Sequence, residues 1–209
     1  MAIRVNGELV SSRAVLTELT RLVNFYRAHL PEVDLGENRE LLIRKAKDQA
    51  IGARLLLDEA RKAGVRVSAE EVAARRAVLV REAGSEEEFA AIRDSQDMDE
   101  RMFQQSIVDS LMIDKLVKAL VGRIAEPTGD EVHQCLHDLE RKGRPATQES
   151  ARDLLLHERR GRVLTECVAL LRKKAVVEDD EEFEGADIDE LFDAFLDDGF
   201  ENVDSPGEG

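Results

Sequence analysis

Between residues 41 and 63 the chain places Leu42, Ala46, Gln49, Ala53, Leu56, Ala60 and Ala63 in alternating steps of four and three. All are apolar or small except Gln49, and the period is that of one α-helix face. Asn38 stands where an N-cap belongs, Glu40 falls in the first turn, and Arg61 and Lys62 fall in the last. Gly64 follows where a helix needs a left-handed stop. A rod of about 35 Å is predicted, at 1.5 Å per residue. Its four alanines let neighbouring helices approach closely, so the chain is expected to pack helix on helix around it.

The rest of the sequence agrees with a helical reading. Hydrophobic residues make up 43% of the chain but aromatic ones only 4%, with no Trp, which favours aliphatic packing between helices. Strand-like alternation is almost absent. Charge is unevenly placed: fifteen of the 45 acidic residues and none of the 30 basic ones lie in residues 178–209, leaving residues 1–177 with thirty of each. A formally neutral body over 1–177 followed by an acidic tail over 178–209 is predicted, most of the tail disordered for want of apolar residues. Met-Ala-Ile-Arg runs straight into Val-Asn-Gly without a leader-like apolar run, and no stretch reaches the roughly 18 to 20 apolar residues of a membrane span. Cys135 and Cys167 are too few for a disulfide framework and suit free thiols in a reducing compartment; a cytoplasmic protein is expected.

In chain order, Ile3-Arg4-Val5 reads as a short strand closed by the turn dipeptide Asn6-Gly7, with Leu9-Val10 returning. Ser11 and Ser12 cap a helix to about Ala28, with Val15, Leu16, Leu19, Leu22, Val23 and Tyr26 facing inward. After the long helix, Ser68-Ala69-Glu70-Glu71 is a capping box opening a helix that Gly84 ends, and Ser85 to Glu88 opens the next. A long helix from Asp99 to Gly122 carries Met102, Phe103, Ile107, Leu111, Met112, Leu116 and Leu120. Beyond Pro127 a short helix holds Val132, Leu136 and Leu139. A last one, over residues 148–174, is expected to put Leu154, His157, Gly161, Leu164, Val168 and Leu171 on one stripe. Gly161 would there serve a close helix crossing, and Val176-Val177 would end the body as a short strand.

This order of elements resembles the SurA-like chaperone family, which includes parvulin-type prolyl isomerases. The resemblance is carried by Val5-Asn6-Gly7-Glu8 before a helix and by Leu57-Asp58-Glu59-Ala60-Arg61-Lys62-Ala63-Gly64-Val65 followed by Val67-Ser68-Ala69-Glu70-Glu71-Val72. Leu111-Met112-Ile113-Asp114-Lys115-Leu116, Thr128-Gly129-Asp130-Glu131-Val132 and the stretch from Leu164 to Val177 continue it. The resemblance implies a mainly α, irregular multi-helix domain in which the N-terminal strand Ile3–Val5 pairs with residues 175–177. It also implies that the parvulin domain of family isomerases is missing, since residues 140–147 fill the place where about a hundred residues would sit. No isomerase activity is therefore carried over.

His133 and His137 share a helix face, but Gln134 stands where a zincin has Glu, Cys135 lies on another face and no third ligand is identifiable. No metal, cofactor or catalytic residue is expected, because no nucleophile adjoins an evident base and no glycine-rich phosphate loop is present. Met98, Met102, Phe103 and Met112 are either ordinary core or the lining of an adaptable apolar groove for unfolded or partly folded proteins. Residues 141–174 hold ten Lys or Arg and four Asp or Glu, read as a solvated face and not a nucleic-acid site. Within the tail, Ile188, Leu191, Phe192, Phe195 and Leu196 fall at i, i+3, i+4, i+7 and i+8, so residues 187–197 form an amphipathic segment. It either occupies the protein's own groove near the basic 141–174 region, binds another protein, or merely keeps the chain soluble. The expected function is an ATP-independent chaperone or assembly factor without enzymatic activity. The alternative is an adaptor, or a maturation factor for one client, that holds a fixed partner through 187–197.

Overall fold

The structure, a computed structural model, describes residues 3–30, 32–95, 98–144 and 146–178. The elements are β1 (Ile3–Val5), β2 (Glu8–Val10), α1 (Ser12–His29), α2 (Arg39–Lys62), α3 (Ala69–Ala83), α4 (Glu86–Ser95), α5 (Glu100–Val121), α6 (Gly129–Arg141), α7 (Gln148–Lys174) and β3 (Val177–Glu178). The chain is thus mainly helical with a small antiparallel sheet, as the sequence pattern predicts. It divides into two compact units, one of Met1–Leu55 with Lys174–Gly209 and one of Leu56–Lys173, so that α2 and α7 each contribute to both.

In the first unit the hairpin forms because Asn6 and Gly7 both take positive φ, 54° and 81°, the geometry of the two-residue turn that matches strand twist. The sheet order is β2-β1-β3. Val5 lies opposite Val177 and Arg4 opposite Glu178, so the two ends of the body do pair, one residue later than the expected 175–177. Asn6 closes the junction: its backbone N–H donates to the Val176 carbonyl at 2.8 Å, and its side-chain oxygen accepts from the Val176 N–H at 3.1 Å. Alternation buries Ile3 and Val5 and exposes Arg4. Val15, Leu19 and Val23 of α1 and Leu42, Ala46, Ala50, Ile51 and Leu55 of α2 are buried with them and make up the core of this unit. On α2 the buried row runs through Ala50 and Ile51 and leaves Gln49 exposed, which corrects the predicted stripe. An amide at that point would have entered the core without a partner.

The helix ends follow their local chemistry. Ser11 accepts from the Ala14 N–H to open α1, and Ser68 with Glu71 and Thr128 with Glu131 form complete capping boxes on α3 and α6. Asp99 accepts from the Met102 N–H at 2.7 Å to open α5. At the end of α2, Gly64 has φ 70°, its N–H donates to Arg61 and the Val65 N–H reaches back to Ala60; this is the double hydrogen bond of a Schellman stop. Asn38 precedes α2, its side-chain amide donating to the Asp34 carbonyl at 2.8 Å.

On α7 Leu155, Leu156, Arg159, Val163, Leu164, Cys167, Val168 and Leu171 are half-buried and Ala151 is fully buried. Of the predicted stripe Leu164, Val168 and Leu171 are half-buried while Leu154, His157 and Gly161 are exposed, so it holds only in the C-terminal half of α7. A Cβ built at Gly161 meets nothing within 4 Å; this glycine serves no helix crossing.

Candidate functional site

The second unit is built differently from the first. Its buried hydrophobic side chains are Leu57, Ala60, Phe89, Ile107, Leu116 and Ala151 among the described residues, six against eleven in the smaller described part of the first unit. Neither α3 nor α6 has a buried residue. Large apolar side chains stand exposed in both units: Leu9, Phe25, Leu30 and Val176 in the first, Ile92, Met102, Leu154 and Leu170 in the second.

Polar ties hold its helices in register. Lys115 on α5 donates to the Glu71 carboxylate and to the Arg66 carbonyl, both at 2.7 Å. That contact, with the Ser68 N–H, holds the Glu71 carboxyl below the usual carboxylate range. Arg76 of α3 grips Glu86 of α4 through two parallel hydrogen bonds of 2.7 and 2.9 Å, which lowers the Glu86 pKa, and its guanidinium lies 5.3 Å from the Phe89 ring centre. Arg93 joins α4 to Glu100 at 2.8 Å, and Arg61 reaches Asp109 at 3.1 Å. Arg159 on α7 donates to the Ala125 carbonyl and to Glu131, and Arg152 to Glu126 at 3.2 Å.

Upon this frame α4 and α5 present apolar surface. Phe89 is buried and meets Phe103 edge to face, with ring centres 5.0 Å apart. Beside them Ile92 is 49% exposed and Met102 48% exposed. Met98, Phe103 and Met112 are half-buried, so none of the four residues proposed as groove lining is fully enclosed. Met102 and Met112 stand ten residues apart on α5, about 15 Å along its axis, and so line no single small pocket. Val108, Leu111, Ile113, Val117, Leu120 and Val121 are half-buried as well, which spreads apolar residues round the whole circumference of α5. Ile92, Arg76 and Lys115 were not among the predicted site residues. Ile92 could have been found from its place in the α4 pattern, whereas the pairings of Arg76 and Lys115 connect residues too distant in sequence to be read from it.

His133 and His137 are exposed and Cys135 is half-buried, and no group of three or more potential metal ligands gathers among the described residues. His133 borders an open hollow of about 530 Å³ with Pro127, Gly129, Val132, Gln148, Glu149 and Arg152, where both signs of charge meet. Burial and the nearby Glu59 push the Cys167 thiol up, away from the reactive thiolate. The tail residues Ile188, Leu191, Phe192, Phe195 and Leu196 lie outside the described residues.

No curated protein matches the chain. The sequence model of the SurA-like N-terminal domain matches residues 1–117, more than half of the chain, spanning β1 to most of α5. With the hairpin, the Schellman-stopped α2, the capped α3 and the long α5 all in place within that match, this chain belongs to the SurA-like N-terminal domain family.

Proposed function

We propose that the protein is an ATP-independent binding chaperone or assembly factor for unfolded or partly folded proteins, and that it works in the cytoplasm without prolyl isomerase or other enzymatic activity. The observation that carries this reading is the apolar surface of α4 and α5, which exposes Ile92 and Met102 beside half-buried Phe103 and Met112 while polar ties hold the helices of that unit. Thioether and branched aliphatic side chains fit varied apolar segments without demanding a sequence, which is what holding diverse clients requires. Family membership supports a protein-binding role of this general kind. Only six residues separate α6 from α7, which leaves no length for a catalytic domain at that junction. Two free, half-buried thiols suit a reducing compartment.

The test is suppression of aggregation of chemically unfolded, unrelated proteins by the full chain in the absence of nucleotide. Ile92→Asp with Met102→Asp, both at exposed positions, should weaken suppression while leaving the helical circular dichroism intact. Suppression unchanged in this variant would refute the reading, and so would cis–trans isomerisation of a model peptide above the uncatalysed rate. The adaptor reading is favoured by one feature, the regular stripe Ile188 to Leu196. It predicts capture of a single stoichiometric partner and no general suppression.

A further inference from the structure

Residues 86–109, which carry α4 and the N-terminal half of α5, hold eight acidic residues against two cations, Arg93 and Arg101. Residues 1–177 as a whole are balanced, so the excess is local. Pairing sharpens it. Arg93 donates to Asp94 and to Glu100, both at 2.8 Å, Arg76 of α3 holds Glu86, and Arg61 matches Asp109. Glu88 accepts from the Ser85 hydroxyl at 3.0 Å and Asp99 from the Met102 N–H that it caps at 2.7 Å; neither meets a cation among the described residues.

These two carboxylates flank the exposed apolar side chains. Glu88 stands at i to Ile92 at i+4 on one row of α4, and Asp99 lies three residues before Met102 at the start of α5. Arg101, the remaining cation, is about 100° round α5 from Met102. The sign left uncancelled beside the apolar surface is therefore negative. A Lys or Arg next to an apolar residue of an incoming chain lays its aliphatic stem on such a surface and brings its charge to the carboxylate. We propose that this surface takes unfolded segments in which apolar residues alternate with Lys and Arg, and turns acidic segments away. The inference rests on the chaperone reading above and names the clients of that same surface. The net charge of −15 draws cationic chains toward the molecule before they reach it.

Binding of three labelled peptides to the full chain, followed by fluorescence anisotropy without nucleotide, tests the preference. The peptides share one set of apolar residues and carry Lys, Gln or Glu at every other position. In roughly 0.05 M salt the Lys peptide should bind about fivefold more tightly than the Gln peptide and the Glu peptide about fivefold more weakly, the ratio that two exposed charge contacts of ordinary strength produce. In roughly 0.5 M salt the three affinities should converge. Glu88→Gln with Asp99→Asn removes both charges and keeps both hydrogen-bond acceptors, Asn being as good an N-cap as Asp, and circular dichroism checks the fold. In this variant the Lys-to-Gln ratio should fall below about twofold. Glu32→Gln with Glu37→Gln, the same loss of charge at exposed positions before α2, should keep the full ratio. A ratio that survives in Glu88→Gln/Asp99→Asn overturns the proposal, as does one lost equally in Glu32→Gln/Glu37→Gln. Equal binding of all three peptides by the unaltered chain overturns the preference and leaves the chaperone reading standing; binding of none overturns both.

Discussion

Replacing Gly161 by Ala decides between two readings of the longest helix. If a second helix crossed at this glycine, as the sequence stripe suggests, the added methyl would over-pack the contact and cost about 1–3 kcal/mol. The structure places Gly161 on the exposed side of α7 with open space where a Cβ would stand, thirteen residues from each end of the helix. Only the backbone term then remains: alanine loses less conformational freedom on entering the helix, a gain of about 1 kcal/mol. A gain of that size slows exchange through local opening of the central α7 amides about fivefold. Exchange of those amides in the full chain, compared between Gly161 and Gly161→Ala, measures it directly, and the urea midpoint should rise without a change of slope. Gly84→Ala is the opposite control. There φ is 99° and a Cβ would run into the Glu88 carboxylate, so the same chemical change should destabilise the turn between α3 and α4. Unchanged or faster α7 exchange in Gly161→Ala would refute the reasoning and mean that something covers this face.

Three further outcomes are expected. Leu19→Ala removes a fully buried side chain from the first unit and should cost about 2–5 kcal/mol in urea unfolding; a loss under 1 kcal/mol on that scale would mean that the sheet and α1 are not the closed core described. A double-mutant cycle of Phe89→Leu and Phe103→Leu should return a coupling of about 0.5–1.5 kcal/mol from their edge-to-face contact, and additive losses would show that the rings do not meet. Glu71, held low first by Lys115, Glu86 by Arg76 and Glu131 by the Thr128 backbone N–H, all titrate below their unfolded value of about 4.3. Their contribution is complete above that value and is lost as pH falls through the lowered folded value. Amide protection in α3 and α6 should therefore drop as the solution is taken from about pH 5 to about pH 3, and constant protection would contradict these contacts.

Local chemistry was the most legible part of this chain. Asn6-Gly7, Ser68 with Glu71, Ser85 with Glu88 and Gly64 each act through neighbours within five residues, and each does in the structure what its spacing predicts. Pairing of the chain ends was legible only through family resemblance, because nothing local to Val5 points to Val177. Which side of a helix turns inward was read less well. On α2 the polar exception Gln49 was itself the clue that the buried row passes through Ala50, and on α7 apolar residues lie on more sides than one.

Whether an apolar face is covered was the least legible property, since periodicity identifies what could be buried and not what is. The contrast within this one chain turns that ignorance into an argument. α1 has a single apolar face and buries Val15, Leu19 and Val23. α5 carries apolar residues on every side, a pattern ordinarily reserved for helices enclosed by protein, yet it buries only Ile107 and Leu116 among them. What solvent reaches of the remainder costs free energy in proportion to its area. That half-covered apolar surface is what the proposed client binding would use. Ile92 and Met102 are where its loss should first be felt.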